Sequence, residues 1–487
     1  MELFEHQKTG IEFLKKTKKC ILADEMGLGK TRQAIVAAGN DAKIIVVCPA
    51  SLKINWRREI WSVYPSADIA ILQTDCDESK HWDRIPEWTI VNYDILEKKI
   101  DVIEWLIEGG AKTLILDEAH YIKGKSIRAT VIIGGKVKKK SSGEQVMFEG
   151  IAPKMERIYC LTGTPLMNRP IELYNLLKAV GHDLGRSRSF YAKRYCGAYL
   201  KTIIRRAPLP AIRYMDESGA TNIPELRKYM EGVMLRRRKK EVLNLPEKIV
   251  SIMECELSHE WKKTYDSAWD DYLHFLAENP DENRDMEGIL MARHLVEVQK
   301  LKQVCSRSKI ARMVGDIRNE VEQGQKVIVF SQYTQTIKEL KEQLDEKQAG
   351  SDPIFSVTLT GADDMHERQK AVDSFQNDEM TKVFIANIKA GGVGLTLTEA
   401  SIVMFADMEW SPEIHAQAED RAHRIGQEGT VNVYYYIATD TIEEDIVQIL
   451  NEKKDVMNQL LEGKTVKRKA ETMQQAFLNM IAKKTKG

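Results

Sequence analysis

The stretch Leu22-Ala-Asp-Glu-Met-Gly-Leu-Gly-Lys-Thr31 decides how the first part of the chain is read. A phosphate-binding loop asks for Gly, four residues, then Gly-Lys-Ser/Thr. Gly29, Lys30 and Thr31 supply that ending, whereas Asp24 stands where the first glycine belongs. The apolar run Cys20-Ile21-Leu22-Ala23 precedes the loop, and RQAIVAAG, Arg32 to Gly39, follows it with helical character. In a strand–turn–helix of this kind, backbone N–H groups and the helix N-terminus hold phosphates. A Lys reaches the β- and γ-phosphates, and a Ser/Thr hydroxyl holds Mg²⁺. A nucleotide is therefore expected along Asp24, Glu25, Met26, Gly27, Leu28, Gly29, Lys30 and Thr31.

Three further stretches extend the site. In LILDEAH, Leu114 to His120, Asp117 follows an apolar strand, the place for a carboxylate that organises Mg²⁺. Glu118 beside it can orient or deprotonate an attacking water. An acidic pair can also simply open a helix, but a phosphate loop upstream favours the chemical role. Gln7, in LFEHQKTG (Leu3 to Gly10), carries an amide that both donates and accepts, as adenine recognition requires, which favours ATP over GTP. In QAEDRAHRIGQ, Gln417 to Gln427, Arg421 and Arg424 are three apart, a spacing that predicts one helix face. They are expected to serve as arginine fingers.

Outward from these motifs, short apolar runs alternate with helical patterns in two stretches. The first holds Cys20–Ala23, Ile44–Cys48, Thr89–Val91 and Thr113–Leu116; the second holds Lys326–Phe330, Val357–Leu359, Val383–Ala386 and Ile402–Phe405. Apolar runs without alternation suit parallel strands covered on both faces. Two α/β domains are predicted, over residues 1–183 and 301–450, with a helical, charged and aromatic segment at 184–300 and a C-terminal segment at 451–487. MLRRRKKEVLNLPEK, Met234 to Lys248, ends near Pro246, a helix stop or hinge. Its basic cluster Arg236–Lys240 reads as a solvated helix face, or as part internal brace and part track for a polyanion. GGKVKKKSSGEQ, Gly134 to Gln145, reads as an exposed hairpin or loop whose Lys138–Lys140 suit a polyanion or plain solvation equally. Met473, Phe477, Met480 and Ile481 lie at helical spacing in the basic C-terminal segment, as in a helix that docks on the protein's own body.

Composition excludes less. The 72 basic and 72 acidic side chains cancel, so positive charge for a nucleic acid must be local. The seven cysteines are dispersed without a C-x-x-C pair, which argues against a disulfide framework or a zinc module. No run of 18 apolar residues marks a membrane span, and the acidic start MELFEHQ is not a signal peptide. A cytoplasmic, nucleoid-associated location is expected in a prokaryote or virus, and a nuclear one in a eukaryote.

These motifs, in this order, resemble the Swi/Snf (Snf-family) ATPases of helicase superfamily two. DEMGLGKT resembles motif I, VVCPASLKINW (Val46–Trp56) motif Ia, VNYDIL motif Ib and DEAH motif II. LTGTPLMNRPIELYNLL (Leu161–Leu177) resembles motif III, and VIVFSQY motif IV. IANIKAGGVGLTLTEAS resembles motif V, and DMEWSPEIHAQAEDRAHRIGQ motif VI with its lead-in. RYCGAY and NIPELRKYMEGVMLRRRKKEV are similar to the HARP-like annealing-helicase branch, whose N-terminal repeats are not expected here because the match starts at the adenine motif.

The resemblance implies a definite machine. Its fold is α/β, two RecA-like parallel-sheet lobes with Snf-type helical insertions, closing on ATP and Mg²⁺. Its activity is DNA-dependent ATP hydrolysis that drives translocation along duplex or forked DNA largely without regard to sequence. The alternative is a motor subunit of a larger assembly with little activity alone. DNA phosphates would be gripped by Ser51, Lys53, Asn92, Ser331, Gln332 and Lys389. Gly394 would lie near the nucleotide, and Thr162 and Thr164 would link the γ-phosphate to DNA grip.

Overall fold

Seven parallel strands carry the phosphate loop and the Asp-Glu pair to one edge of a single sheet. The computed structural model describes residues 3–40, 43–73, 84–138, 145–163, 169–203, 212–243, 245–278, 289–346, 352–391 and 395–461. The chain folds as two units, one up to Asn244 and the other Leu245–Asp455.

Unit 1 contains β1 (Lys19–Leu22), β2 (Lys43–Cys48), β3 (Ile69–Ile71), β4 (Trp88–Asn92), β5 (Ala111–Leu116), β6 (Gly135–Lys138), β7 (Gln145–Phe148), β8 (Arg157–Leu161), β9 (Tyr199–Ile203), β10 (Ile212–Asp216) and β11 (Met234–Leu235). The sheet order is β11-β1-β8-β5-β2-β4-β3, and every pairing in it is parallel. Ile45, Val47, Val91, Leu114, Leu116 and Ile158 are buried in its core. Each such side chain contributes about 1.5–3 kcal/mol on burial. That is why these strands are apolar runs rather than alternating ones. β6 and β7 form an antiparallel hairpin from the Gly-Lys-Ser stretch; Lys139 and Lys140 lie outside the described residues.

Unit 2 contains β12 (Lys248–Cys255), β13 (Val327–Ser331), β14 (Ser356–Leu359), β15 (Val383–Asn387), β16 (Ile402–Phe405) and β17 (Val431–Ala438). They form a second all-parallel sheet in the order β12-β17-β16-β13-β15-β14. All eight strands expected from the apolar runs are present.

Residues 184–300 differ from the helical expectation. They hold the β9–β10 hairpin, β11 at one edge of the first sheet and β12 at one edge of the second. An edge strand covers only one side, and Ile249, Val250 and Ile252 of β12 remain exposed. Without a continuous buried run, the strand does not stand out in a charged neighbourhood. The C-terminal stripe Met473–Ile481 lies outside the described residues.

Candidate functional site

The phosphate loop sits between β1 and the helix Lys30–Ala38, whose N-cap is Gly29. Gly27 and Gly29 have φ of 78° and 72°, the left-handed region that glycine enters without steric cost. A Cβ at Gly29 would collide with the side-chain amide nitrogen of Gln7, so the adenine-motif residue packs directly on the loop. Gln7 is buried, and its Oε1 accepts from the Phe4 N–H at 3.2 Å. Its neighbour His6 places Nε2 3.1 Å from the Leu28 carbonyl oxygen. The Lys30 ammonium donates to the carbonyls of Asp24 at 2.8 Å and Glu25 at 3.2 Å. Thr31 is half-buried in the first helical turn, one residue beyond Lys30.

Asp24 does not face this cradle. It is fully buried and held by Arg237, whose Nε donates to Oδ1 at 2.9 Å and whose Nη2 pairs with Oδ2. Arg237 Nη2 also donates to Gln33 Oε1 at 2.9 Å, and its Nη1 to the His6 carbonyl. The Asp24 carboxylate is thereby committed to anchoring motif I to the basic run. Glu25 is engaged from the same run, accepting from the Lys239 N–H at 2.6 Å. Arg237 and Lys239 thus brace unit 1 internally. The bare run of five cations signalled a charged segment but not which member turns inward.

β8 lies between β1 and β5. The loop after β1 and the residues after β5 therefore emerge at the same strand ends about 10 Å apart, two strand spacings. The C-terminal edge of a parallel sheet is where such folds bind ligands. Asp117 is buried there, with Trp56 Nε1 donating to Oδ2 at 2.8 Å and the Glu118 N–H to Oδ1 at 2.9 Å. The Tyr93 hydroxyl donates to the Asp117 carbonyl at 2.8 Å. Burial first, then the Glu118 charge, lift the Asp117 carboxyl to about 6, against the Trp56 hydrogen bond and Lys30. Trp56 and Tyr93 were not singled out from sequence, although both lie in the motif Ia and Ib stretches.

Glu118 adopts φ 47° and ψ 51°. A non-glycine residue there stores of order 1–3 kcal/mol of strain, a cost that concentrates at functional sites. One oxygen of its carboxylate lies 3.2 Å from His120 Nδ1. From β8, Thr162 is buried with its N–H bonded to the Leu22 carbonyl at 3.1 Å. A Cβ on the next residue, Gly163, would come within 2.6 Å of Met26 Cγ. Motif III thus packs against motif I; Thr164 lies outside the described residues.

In unit 2, the helix Pro412–Glu419 ends before the arginines, which lie in the turns that follow. The expectation of one helix face is corrected, yet the two guanidiniums still converge. Nη1 of Arg421 and Nη1 of Arg424 each donate to the Leu395 carbonyl at 3.2 Å, and Arg424 also to Thr396 Oγ1 at 2.9 Å. Gly394 lies outside the described residues.

The residues expected to grip DNA divide into two sets. Lys53, Asn92 and Ser331 are buried. Lys53 Nζ donates to the Leu72 carbonyl at 3.1 Å, and Ser331 Oγ to Asp407 Oδ2 at 2.5 Å. Gln332 Nε2 is committed to Asp407 at 3.0 Å and to the Met408 carbonyl at 2.6 Å. Lys53, Ser331 and Gln332 are thus hydrogen-bonded within their own units. Ser51 is half-buried after β2, and the Lys389 side chain is 66% exposed beside Glu409.

The SNF2-related domain model matches residues 6–310, and the helicase conserved C-terminal domain model matches 307–426. The bovine (Bos taurus) DNA annealing helicase and endonuclease ZRANB3 is 31% identical over 96% of this chain, which spans only 41% of that protein. A Caenorhabditis elegans homologue of SWI/SNF-related matrix-associated actin-dependent regulator of chromatin subfamily A-like protein 1 is 29% identical over 98% of this chain and 64% of its own length. The Sulfolobus solfataricus SWI2/SNF2 ATPase core in complex with dsDNA is 23% identical over 95% of this chain and 93% of that one, with a TM-score of 0.41. With both domain models matched in order and the phosphate loop and Asp-Glu pair at one sheet edge, the chain belongs to the SNF2-related family of helicase-like ATPases.

Proposed function

We propose that the chain is a DNA-dependent ATPase that uses hydrolysis to move along duplex DNA and to remodel DNA or protein–DNA complexes. The observation that carries the reading is the shared strand edge of Lys30, Thr31, Asp117 and Glu118 within a family match that covers both lobes. Backbone amides of the Gly27–Lys30 turn and the helix N-terminus suit the phosphates, and Lys30 would exchange its loop carbonyls for phosphate oxygens. The donor set of Thr31 and Asp117 fits Mg²⁺, which takes oxygen ligands and keeps several waters. When bound, the ion would neutralise charge on the phosphates. Glu118, strained and adjacent, would orient and deprotonate the attacking water. Arg421 and Arg424 would supply positive charge to the transition state.

DNA as partner is supported by the annealing-helicase relative, whose name describes a protein of more than twice this length. Ser51 and Lys389 are the surface candidates for phosphate contacts, which position without reading sequence. Steady-state ATP hydrolysis by the isolated chain, titrated with duplex, forked and single-stranded DNA, tests the reading. Duplex or forked DNA should stimulate turnover. Negligible turnover alone that appears with added partners would favour a subunit of a larger assembly. Stimulation by RNA alone would overturn both.

A further inference from the structure

The peptide group between Asp117 and Glu118 is captured at both of its polar ends. Its carbonyl accepts from the Tyr93 hydroxyl at 2.8 Å, and its N–H donates to Asp117 Oδ1 at 2.9 Å. A peptide group is planar, so fixing its two ends fixes the backbone angle at the next residue. That residue is Glu118, whose φ of 47° lies in the left-handed region. A non-glycine residue persists there only when its surroundings over-determine it. The peptides on either side are held as well. The Asp117 N–H donates to the Val47 carbonyl at 2.8 Å, and the Glu118 carbonyl accepts from the Tyr121 N–H at 2.9 Å.

Tyr93 reaches this peptide from another strand of the same sheet. It opens the short helical turn Tyr93–Lys99 after β4, and β2 lies between β4 and β5. Its side chain is buried, and its ring stacks on Tyr121 with centroids 5.3 Å apart and planes 13° from parallel. The Arg128 guanidinium lies 5.7 Å from the centre of the Tyr121 ring and pairs with Asp94, the residue after Tyr93. The tyrosine is therefore braced from its own backbone and from the segment that follows Glu118. A buried tyrosine ordinarily finds a hydrogen-bond partner. What sets this bond apart is its target, the carbonyl between the carboxylate suited to Mg²⁺ and the strained carboxylate suited to water.

We propose that Tyr93 is a positioning residue for Glu118: its hydroxyl holds the 117–118 peptide and thereby aims the Glu118 carboxylate at the attacking water. It acts through the backbone. Without the hydroxyl, the peptide can turn toward a relaxed φ and carry the carboxylate off line. The inference rests on the ATPase reading above.

The test uses the full chain. It measures kcat and KM for ATP with saturating duplex DNA, ADP affinity in Mg²⁺ by calorimetry, and thermal melting. Tyr93→Phe removes only the hydroxyl. It should lower kcat at least about tenfold while ADP affinity stays within about twofold, the pattern of an interaction needed in the chemical step. On a Glu118→Gln background, adding Tyr93→Phe should slow single-turnover hydrolysis by less than about twofold, because residues that act as a unit are not additive. A kcat within about twofold of the unaltered chain overturns the proposal. A loss of ADP affinity as large as the loss of kcat also overturns it, as does a full further loss on the Glu118→Gln background. If Tyr93→Phe fails to melt cooperatively, 4-fluorophenylalanine at position 93 decides by the same readings, since it fills the space of the hydroxyl without donating. Lys30→Ala is the control. If Lys30→Ala keeps full turnover, the ATPase reading fails; if it is inactive while Tyr93→Phe keeps full kcat, only the role of Tyr93 fails.

Discussion

At Asp24 the departure from the phosphate-loop pattern becomes a structural requirement. Asp24→Gly would restore the general pattern, yet it would leave the Arg237 guanidinium buried without its carboxylate. Breaking a buried pair from one side costs about 3–5 kcal/mol. We therefore expect Asp24→Gly to destabilise unit 1 by about that amount in urea unfolding, with no gain in ATP affinity. Asp117 behaves in the opposite sense. Its carboxyl is lifted to about 6, so between about pH 4 and pH 6 the folded chain holds a proton that the unfolded chain releases. That contribution favours folding at low pH and is lost as pH rises through about 6. Asp117→Asn should flatten the pH dependence of stability between about pH 4 and 6. It should also remove turnover. Glu118→Gln should keep ATP binding and reduce hydrolysis at least about 100-fold, the scale of a lost general base. Turnover near the starting rate would show that Glu118 does not activate water.

The elements explain why some of this was legible in the sequence and some was not. Strands buried on both faces wrote themselves as apolar runs, as in Ile44–Cys48 and Val327–Phe330, and those readings placed both sheets. β8 and β17 were missed because tyrosines interrupt the run. In β17 the hydroxyls of Tyr435 and Tyr436 reach Glu419 at 2.6 Å and Asp316 at 2.9 Å. Their rings are core material with a polar end satisfied at the rim. The helical face assigned to Arg421 and Arg424 failed because the helix stops at Glu419, although the i,i+3 spacing still brought both to one carbonyl. The helix Glu5–Thr17 carries a requirement that no pattern announces. A Cβ at Gly10 would come within 2.8 Å of Arg237 Nη2 and collide with Gln33 Oε1, inside the Asp24 network. Overpacking of this kind costs about 1–3 kcal/mol. Gly10→Ala should lower the thermal midpoint of unit 1 and raise KM for ATP, whereas substitution of exposed Lys15 should change neither.

Across the whole molecule, each unit is a parallel sheet whose loops present one half of the expected machinery: phosphate, metal and water chemistry in the first, a paired guanidinium turn in the second. The motifs Leu22–Thr31, Leu114–His120 and Gln417–Gln427 identified that division because their chemistry depends on residue type and on strand ends. The candidate DNA contacts were less legible, since Lys53, Asn92, Ser331 and Gln332 have residue types that serve packing as readily as phosphate binding. The function proposed for this frame is that of a DNA-responsive ATPase. The most direct measurement is steady-state ATP hydrolysis with and without saturating duplex DNA, alongside Lys30→Ala. The account predicts stimulation of at least about tenfold by duplex DNA, and near-complete loss in Lys30→Ala with the fold intact by melting. Turnover that ignores duplex and forked DNA, or that survives Lys30→Ala, would contradict it.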